Sequence, residues 1–191
     1  MENYSVLYLK QENRFRSQSK NYRLASNEKV VGIIEEDTSS SRDTINRLLK
    51  SISLFAFTSV DLNIMTKKNE LIGELKKQKG FSNTYTYRSF DEEIYSIEAK
   101  AGLSDPKTSL TIYSGDEEII KGKGDFSAYR FEFFDNNNSL LMSVKKTTLP
   151  SSLKNFFDSF DVYKIDIKDP LSPYYNLFIA LGLIIDLNFH G

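Results

Sequence analysis

Along most of the chain apolar and polar side chains alternate, and the alternation repeats in a recognisable unit. Tyr22 to Ala25 leads through polar Ser26–Lys29 into Val30–Glu35, and Leu62 to Met65 leads through Thr66–Glu70 into Leu71–Lys76. Tyr85 to Phe90 turns at Asp91–Glu93 into Ile94–Lys100, and Tyr129 to Phe134 turns at Asp135–Asn138 into Leu140–Lys146. Each unit is two period-2 runs joined by a short turn rich in Asn, Asp, Lys or Glu, which is how an antiparallel hairpin reads in sequence. Further alternating runs at Tyr4–Leu9, Leu110–Tyr113, Glu118–Lys121 and Phe160–Ile167 bring the expected number of strands to about twelve. Many short strands with polar turns between them define a sandwich or a barrel.

Two stretches break the alternation. Ile45, Leu48, Leu49 and Ile52 recur at helical spacing behind Ser41 as a cap, predicting a short surface helix over 41–52. Near the end, Asp169-Pro170 and Ser172-Pro173 offer a capping residue followed by a proline, and Tyr174 to Leu187 leaves no polar face. A helix over 173–187 that is apolar on every side must be surrounded by protein. At about 1.5 Å per residue it spans roughly 22 Å, the length of a strand of six or seven residues. Two packed sheets stand only about 10 Å apart and leave no room for it, whereas a barrel of eleven or more strands can hold a helix on its axis. The expected fold is therefore mainly β: a closed antiparallel barrel of about twelve strands enclosing a hydrophobic C-terminal helix, with 1–191 as one domain.

Composition narrows the function classes. Over 191 residues, 40% are apolar, 14 are Phe, 11 are Tyr and none is Trp or Cys. Disorder is excluded by this apolar and aromatic content, and without cysteine there is no disulfide, thiolate metal site or thiol nucleophile. Net charge is −1, giving no overall field for a nucleic acid. The nine-residue run Leu177–Ile185 falls short of the roughly 20 residues of a membrane span. The first ten residues lack the basic start and long apolar run of a secretion signal, so the expected location is cytoplasmic, peripheral to a membrane if attached at all.

The segment Phe157-Asp158-Ser159-Phe160-Asp161-Val162-Tyr163-Lys164-Ile165, together with the tail from Asp169-Pro170-Leu171 to Ile184-Ile185-Asp186-Leu187, resembles the tubby C-terminal-like superfamily. Within it the chain is most similar to the LURP-one-related and phospholipid scramblase-like branch. The resemblance covers nearly the whole chain and implies a twelve-stranded barrel around a central C-terminal helix. For some relatives it also implies contact with anionic phosphoinositide head groups. The proline-rich N-terminal region and the palmitoylated cysteine of the animal scramblases are missing, so scrambling activity does not carry over. The basic pocket of the tubby proteins has no residue-by-residue match here.

The candidate ligand-binding residues are Lys76 and Lys77, with Lys79 beside them, and Lys145 and Lys146; Lys121 and Lys123 form a further group. Lysines near an anionic leaflet each contribute about 1 kcal/mol, although lysines at strand ends also serve simply to discourage edge pairing. Arg23, Arg88 and Arg130 each follow a Tyr, either as a ring of cations on one rim or as outward residues beside inward rings. Asp186 stands where the helix dipole disfavours a negative charge and is expected to reach hydrogen-bond donors at the barrel mouth. His190 has no nucleophile near it in sequence. Gly122-Lys123-Gly124 reads as a turn, Asp135–Asn138 as a hairpin turn and not a calcium loop, and Glu35-Glu36-Asp37 as a solvated acidic loop. No enzyme activity, metal or cofactor is implied. The expectation is a non-enzymatic intracellular binding or scaffold module that contacts anionic phospholipid head groups; the alternative is a soluble protein-interaction module that binds a protein partner and no lipid.

Overall fold

The computed structural model describes residues 2–12, 20–37, 59–77, 83–101, 108–125, 129–148 and 161–190. Twelve strands form where the alternation places them: β1 (Val6–Gln11), β2 (Asn21–Ser26), β3 (Lys29–Glu36), β4 (Val60–Thr66), β5 (Leu71–Lys77) and β6 (Thr84–Ser89). They continue as β7 (Ile94–Ala101), β8 (Thr108–Ser114), β9 (Glu117–Gly124), β10 (Arg130–Asp135), β11 (Leu140–Thr148) and β12 (Asp161–Ile167). Every strand pairs antiparallel with its sequence neighbours, and β1 closes the ring on β12 through Val6↔Asp166 and Leu9↔Tyr163. The helix expected over 41–52 lies outside the described residues.

The hairpin repeat has a backbone cause. At Thr66–Glu70, Ser89–Glu93 and Asp135–Ser139 the first residue's carbonyl accepts the N–H of the fourth, and that fourth residue (Asn69, Glu92 or Asn138) has φ near +60°. A type I turn followed by one left-handed residue is a standard three-residue hairpin loop. Asn27-Glu28 makes a two-residue turn with both φ values positive. β8 and β9 form a fifth hairpin around Gly115, also left-handed, which the sequence showed only as two separate runs because its turn is too short to stand out as a polar cluster. All five turns lie at one end of the barrel, hereafter the turn end, since the strands run alternately up and down.

Odd and even positions separate onto two faces. Leu7, Leu9, Tyr22, Leu24, Ile34, Leu62, Ile64, Tyr85, Tyr87, Ile97, Leu110, Ile112, Phe131, Phe133 and Ile165 point inward and are almost fully buried. Twelve strands about 4.8 Å apart and tilted about 40° enclose a ring roughly 24 Å across. A layer of wall side chains roughly 6 Å deep leaves about 12 Å, the diameter of one dressed helix. That helix, α1 (Tyr175–Ile185), occupies the bore with its residues from Leu177 to Ile185 buried on all sides, and continues as a π-type turn over Asp186–His190. Gly182 on α1 brings the helix against the Ile165 side chain of β12, and Gly122 on β9 leaves the space that the Phe133 ring of β10 fills. The sequence reading of Gly122-Lys123-Gly124 as a turn is corrected: the segment is the end of a strand, glycine-rich because aromatic rings lie over it.

The helix begins two residues later than proline placement predicts. Asp169 Oδ1 accepts the Leu171 N–H and Ser172 Oγ the Tyr174 N–H, so both capping residues are used in the turns before the helix, and Tyr174 caps it without a side-chain bond. The N-terminal strap locks this entry: Asn3 Nδ2 donates to the Pro170 carbonyl at 2.6 Å, and the Tyr4 N–H donates to the Tyr175 hydroxyl at 2.8 Å.

Candidate functional site

Lys76, Lys77, Lys145 and Lys146 lie toward the end of the barrel opposite the turns, where α1 also ends, and Lys79 lies outside the described residues. Strand alternation splits each adjacent pair. On β5, Lys76 points outward and is held by Glu74 at 2.9 Å and Asp61 at 3.9 Å, and the hydrogen bond it donates to Glu74 raises its pKa. Lys77 shares the inward register of Leu75, is only 5% exposed, and sits with its Nζ 5.6 Å from the centroid of the Tyr85 ring. Burial, with help from Lys20, lowers its pKa. On β11, Lys145 points outward between Arg130 of β10 and Lys164 of β12, in register with both. Lys146 turns inward toward the mouth, over the Tyr129 ring at 5.5 Å.

The four do not converge on one pocket. β5 and β11 are six steps apart in either direction around the ring, so the two pairs stand on opposite walls. That separation, roughly 24 Å of barrel width, exceeds a Debye length of about 8 Å at physiological salt. Lys121 and Lys123 point outward from β9, Lys121 paired with Glu118 at 2.6 Å and Lys123 over the Phe134 ring at 5.8 Å. The Tyr-Arg repeats resolve as inward rings beside outward cations at Tyr22-Arg23 and Tyr87-Arg88. Arg23 pairs with Glu12 at 2.6 Å, Arg88 lies near the turn end and Arg130 near the other, so they form no single rim.

Sequence spacing missed the neighbours of Lys145. Arg130, Lys145 and Lys164 form a cross-strand basic row in which Arg130 bonds Glu132 at 2.5 Å and Lys164 bonds Asp166 at 2.7 Å. The signal was present in the period-2 parity of three separate segments and becomes readable only once their register is known.

At the mouth, Asp186 finds the donor expected of it. The Tyr22 hydroxyl donates to its Oδ2 at 2.8 Å in a buried contact. Burial, and then the Asp186 charge, push the Tyr22 pKa well up. Tyr85 donates to Asn188 Oδ1 at 3.4 Å, and Phe189 lies against Phe131 with ring centroids 5.2 Å apart. Glu36, expected in a solvated loop, instead ends β3, is buried, and accepts the Lys20 N–H at 2.8 Å. His190 is the last residue of the π-type turn.

The turn end carries both signs: Lys29, Lys67, Lys68 and Arg88 are exposed there among carboxylates. Asp91, Glu92 and Glu93 fill one turn, and in the next hairpin around the ring Asp116 of the turn is followed by Glu117 and Glu118 at the start of β9. An open cleft of about 360 Å³ between the strap and the β4–β5 turn is lined by Glu2, Tyr4, Val31, Thr66, Lys67, Lys68 and Glu70. Among the described residues no three His, Asp or Glu side chains are grouped to hold a metal ion. No described helix is long and apolar enough to cross a membrane.

A continuous meander closed on itself, with a bore filled by its own helix, defines a helix-plugged β-barrel. The chain belongs to the LURP-one-related family, whose sequence model matches residues 24–186, and this family is part of the tubby-like superfamily. Among curated proteins and solved structures, none matches the chain.

Proposed function

We propose that the protein is a non-enzymatic binding module of the cytoplasm, and that the lysine-bearing end of the barrel adsorbs to anionic phospholipid head groups at a membrane surface. The observation that carries this reading is the Arg130–Lys145–Lys164 row with Lys146 beside it. Within that row Arg130 and Lys164 are each engaged by a carboxylate, whereas Lys145 has none among the described residues. On the opposite wall Lys76 is held by Glu74 and Asp61 and Lys77 is buried, so contact with a leaflet falls to the row and Lys146. Such contact is weak and salt-sensitive, at about 1 kcal/mol for each accessible lysine. Membership of a tubby-like family favours a binding role over catalysis, and α1 fills the bore with apolar side chains.

The test is co-sedimentation with phosphatidylserine-rich vesicles, with phosphatidylcholine vesicles as the control. Binding is expected at low ionic strength and is expected to weaken at about 0.15 M salt. Replacing both Lys145 and Lys146 by Ala removes about 2 kcal/mol, a loss of about 30-fold in partitioning. An absence of binding at low salt overturns the lipid reading and leaves the protein-interaction alternative.

A further inference from the structure

Three exposed apolar side chains of the turn end stand on neighbouring strands, apart from Leu171, which is 85% exposed on the β12–α1 connection. Phe90 is 70% exposed, Ile94 51% and Leu71 41%. The Phe90 N–H donates to the carbonyl of Ile72, the residue after Leu71, and Ile94 pairs with Arg88 directly across the same hairpin. None of the three belongs to the inward register: Tyr85, Tyr87, Tyr95 and Ile97 fill those positions on β6 and β7. The barrel core therefore does not need them, and a soluble wall gains nothing from a phenylalanine at a turn tip.

Around this patch stand the exposed carboxylates Asp91 and Glu92 of the same turn, and Asp116 and Glu117 where the next hairpin turns into β9; the exposed cations nearest it are Arg88, across from Ile94, and Lys67 and Lys68, on the far side of Leu71. No lysine or arginine pairs with any of these four among the described residues. We infer that Leu71, Phe90 and Ile94, framed by these four carboxylates, form a docking site for a short basic segment of a partner protein that carries one or two apolar anchor residues.

The occupant's chemistry follows from the surface. Three side chains cover a few hundred Å², well below the roughly 800 Å² per partner of a globular interface, so a linear segment fits and a folded domain does not. The carboxylates supply attraction and orientation for lysines or arginines, and they repel an anionic leaflet, which excludes a membrane as occupant. This site lies at the opposite end from the basic row and is independent of the lipid reading.

The probe is a synthetic Lys/Leu amphipathic peptide, titrated into the isotope-labelled full chain at physiological ionic strength, with a Glu/Leu peptide of the same pattern as control. Saturable binding with shifts confined to Leu71, Ile72 and Phe90–Ile94 is expected, with none from the Glu/Leu peptide. Phe90→Ser with Ile94→Ser, and separately Asp91→Lys with Glu92→Lys, should each weaken binding at least tenfold. Asp169→Lys, a charge reversal at the same end but on a different connection, should leave it unchanged. Because all the substituted side chains are exposed, unchanged melting curves establish that the variants are folded. Binding that survives either double substitution, shifts spread over the whole turn end, or equal loss on Asp169→Lys would overturn the inference. Sedimentation of the chain alone as concentration-dependent oligomers that Phe90→Ser abolishes would also overturn it, by making a second copy the occupant.

Discussion

Raising the pH should open this barrel in a way that counts its buried phenols. Tyr22 hydrogen-bonds Asp186 in the interior, Tyr85 reaches toward Asn188, and Tyr87 packs its ring over Gly73. Burial pushes the pKa of all three above the ordinary value of 10.0, and for Tyr22 the Asp186 charge adds to it. In the unfolded chain these groups titrate near 10, so above that pH the unfolded state has lost protons that the native state still holds, and stability falls as pH rises. Below pH 9 the three contribute no pH dependence. At pH 11 each costs about 1.4 kcal/mol, about 4 kcal/mol together, against a total stability of about 5–15 kcal/mol. Lys77 acts in the opposite sense, because its pKa is lowered in the fold, but it is a single group. Tyr95 is left out of the sum because its hydroxyl reaches Glu93 near the turn. Urea denaturation at successive pH values measures the loss, and tyrosinate absorbance reports whether the buried phenols ionise with unfolding or before it. Stability that stays flat to pH 11, or tyrosinate that appears for every phenol while the circular dichroism remains native, would refute the reasoning.

Other perturbations follow from the same contacts. Leu181→Ala in the centre of the plug, at 0% exposure, should cost about 3–5 kcal/mol and lower the melting temperature by about 10 °C in a thermal scan. Tyr22→Phe deprives the Asp186 carboxylate of its donor and should cost about 1–3 kcal/mol by urea denaturation. Tyr22→Phe combined with Asp186→Leu removes both polar partners and should cost less than the sum of the two single changes. Glu92 occupies a left-handed position that Asn fills in two sister turns, so Glu92→Asn should stabilise by about 0.5–1 kcal/mol in the same assay while weakening peptide docking.

The strands were legible because the wall is half-buried: each inward Tyr, Phe, Leu or Ile is followed by an outward polar residue, and that alternation survives in the sequence. The plug was legible for the opposite reason, since Leu177 to Ile185 has no polar side to turn to water. Closure of β1 on β12 leaves no local mark, because it depends on register between residues far apart in the chain. The lysine pairs show the limit most directly. Adjacency in sequence suggested clusters, yet in a strand adjacency means opposite faces, so Lys76 and Lys145 went to solvent while Lys77 and Lys146 turned toward the bore. That parity was available from Leu75 and Val144; the placement of β5 opposite β11 was not.

The seam between the first and last strands governs the order in which the molecule is assembled. β1 can zip to β12 only once β12 has been made, and α1 follows β12 in the chain. Until then the nascent protein is an open trough of eleven or fewer paired strands, its aromatic lining unroofed and both lateral borders unsatisfied. A barrel that closes through its first and last strands keeps its lining open until late in its own synthesis, an interval in which a chaperone has something to hold.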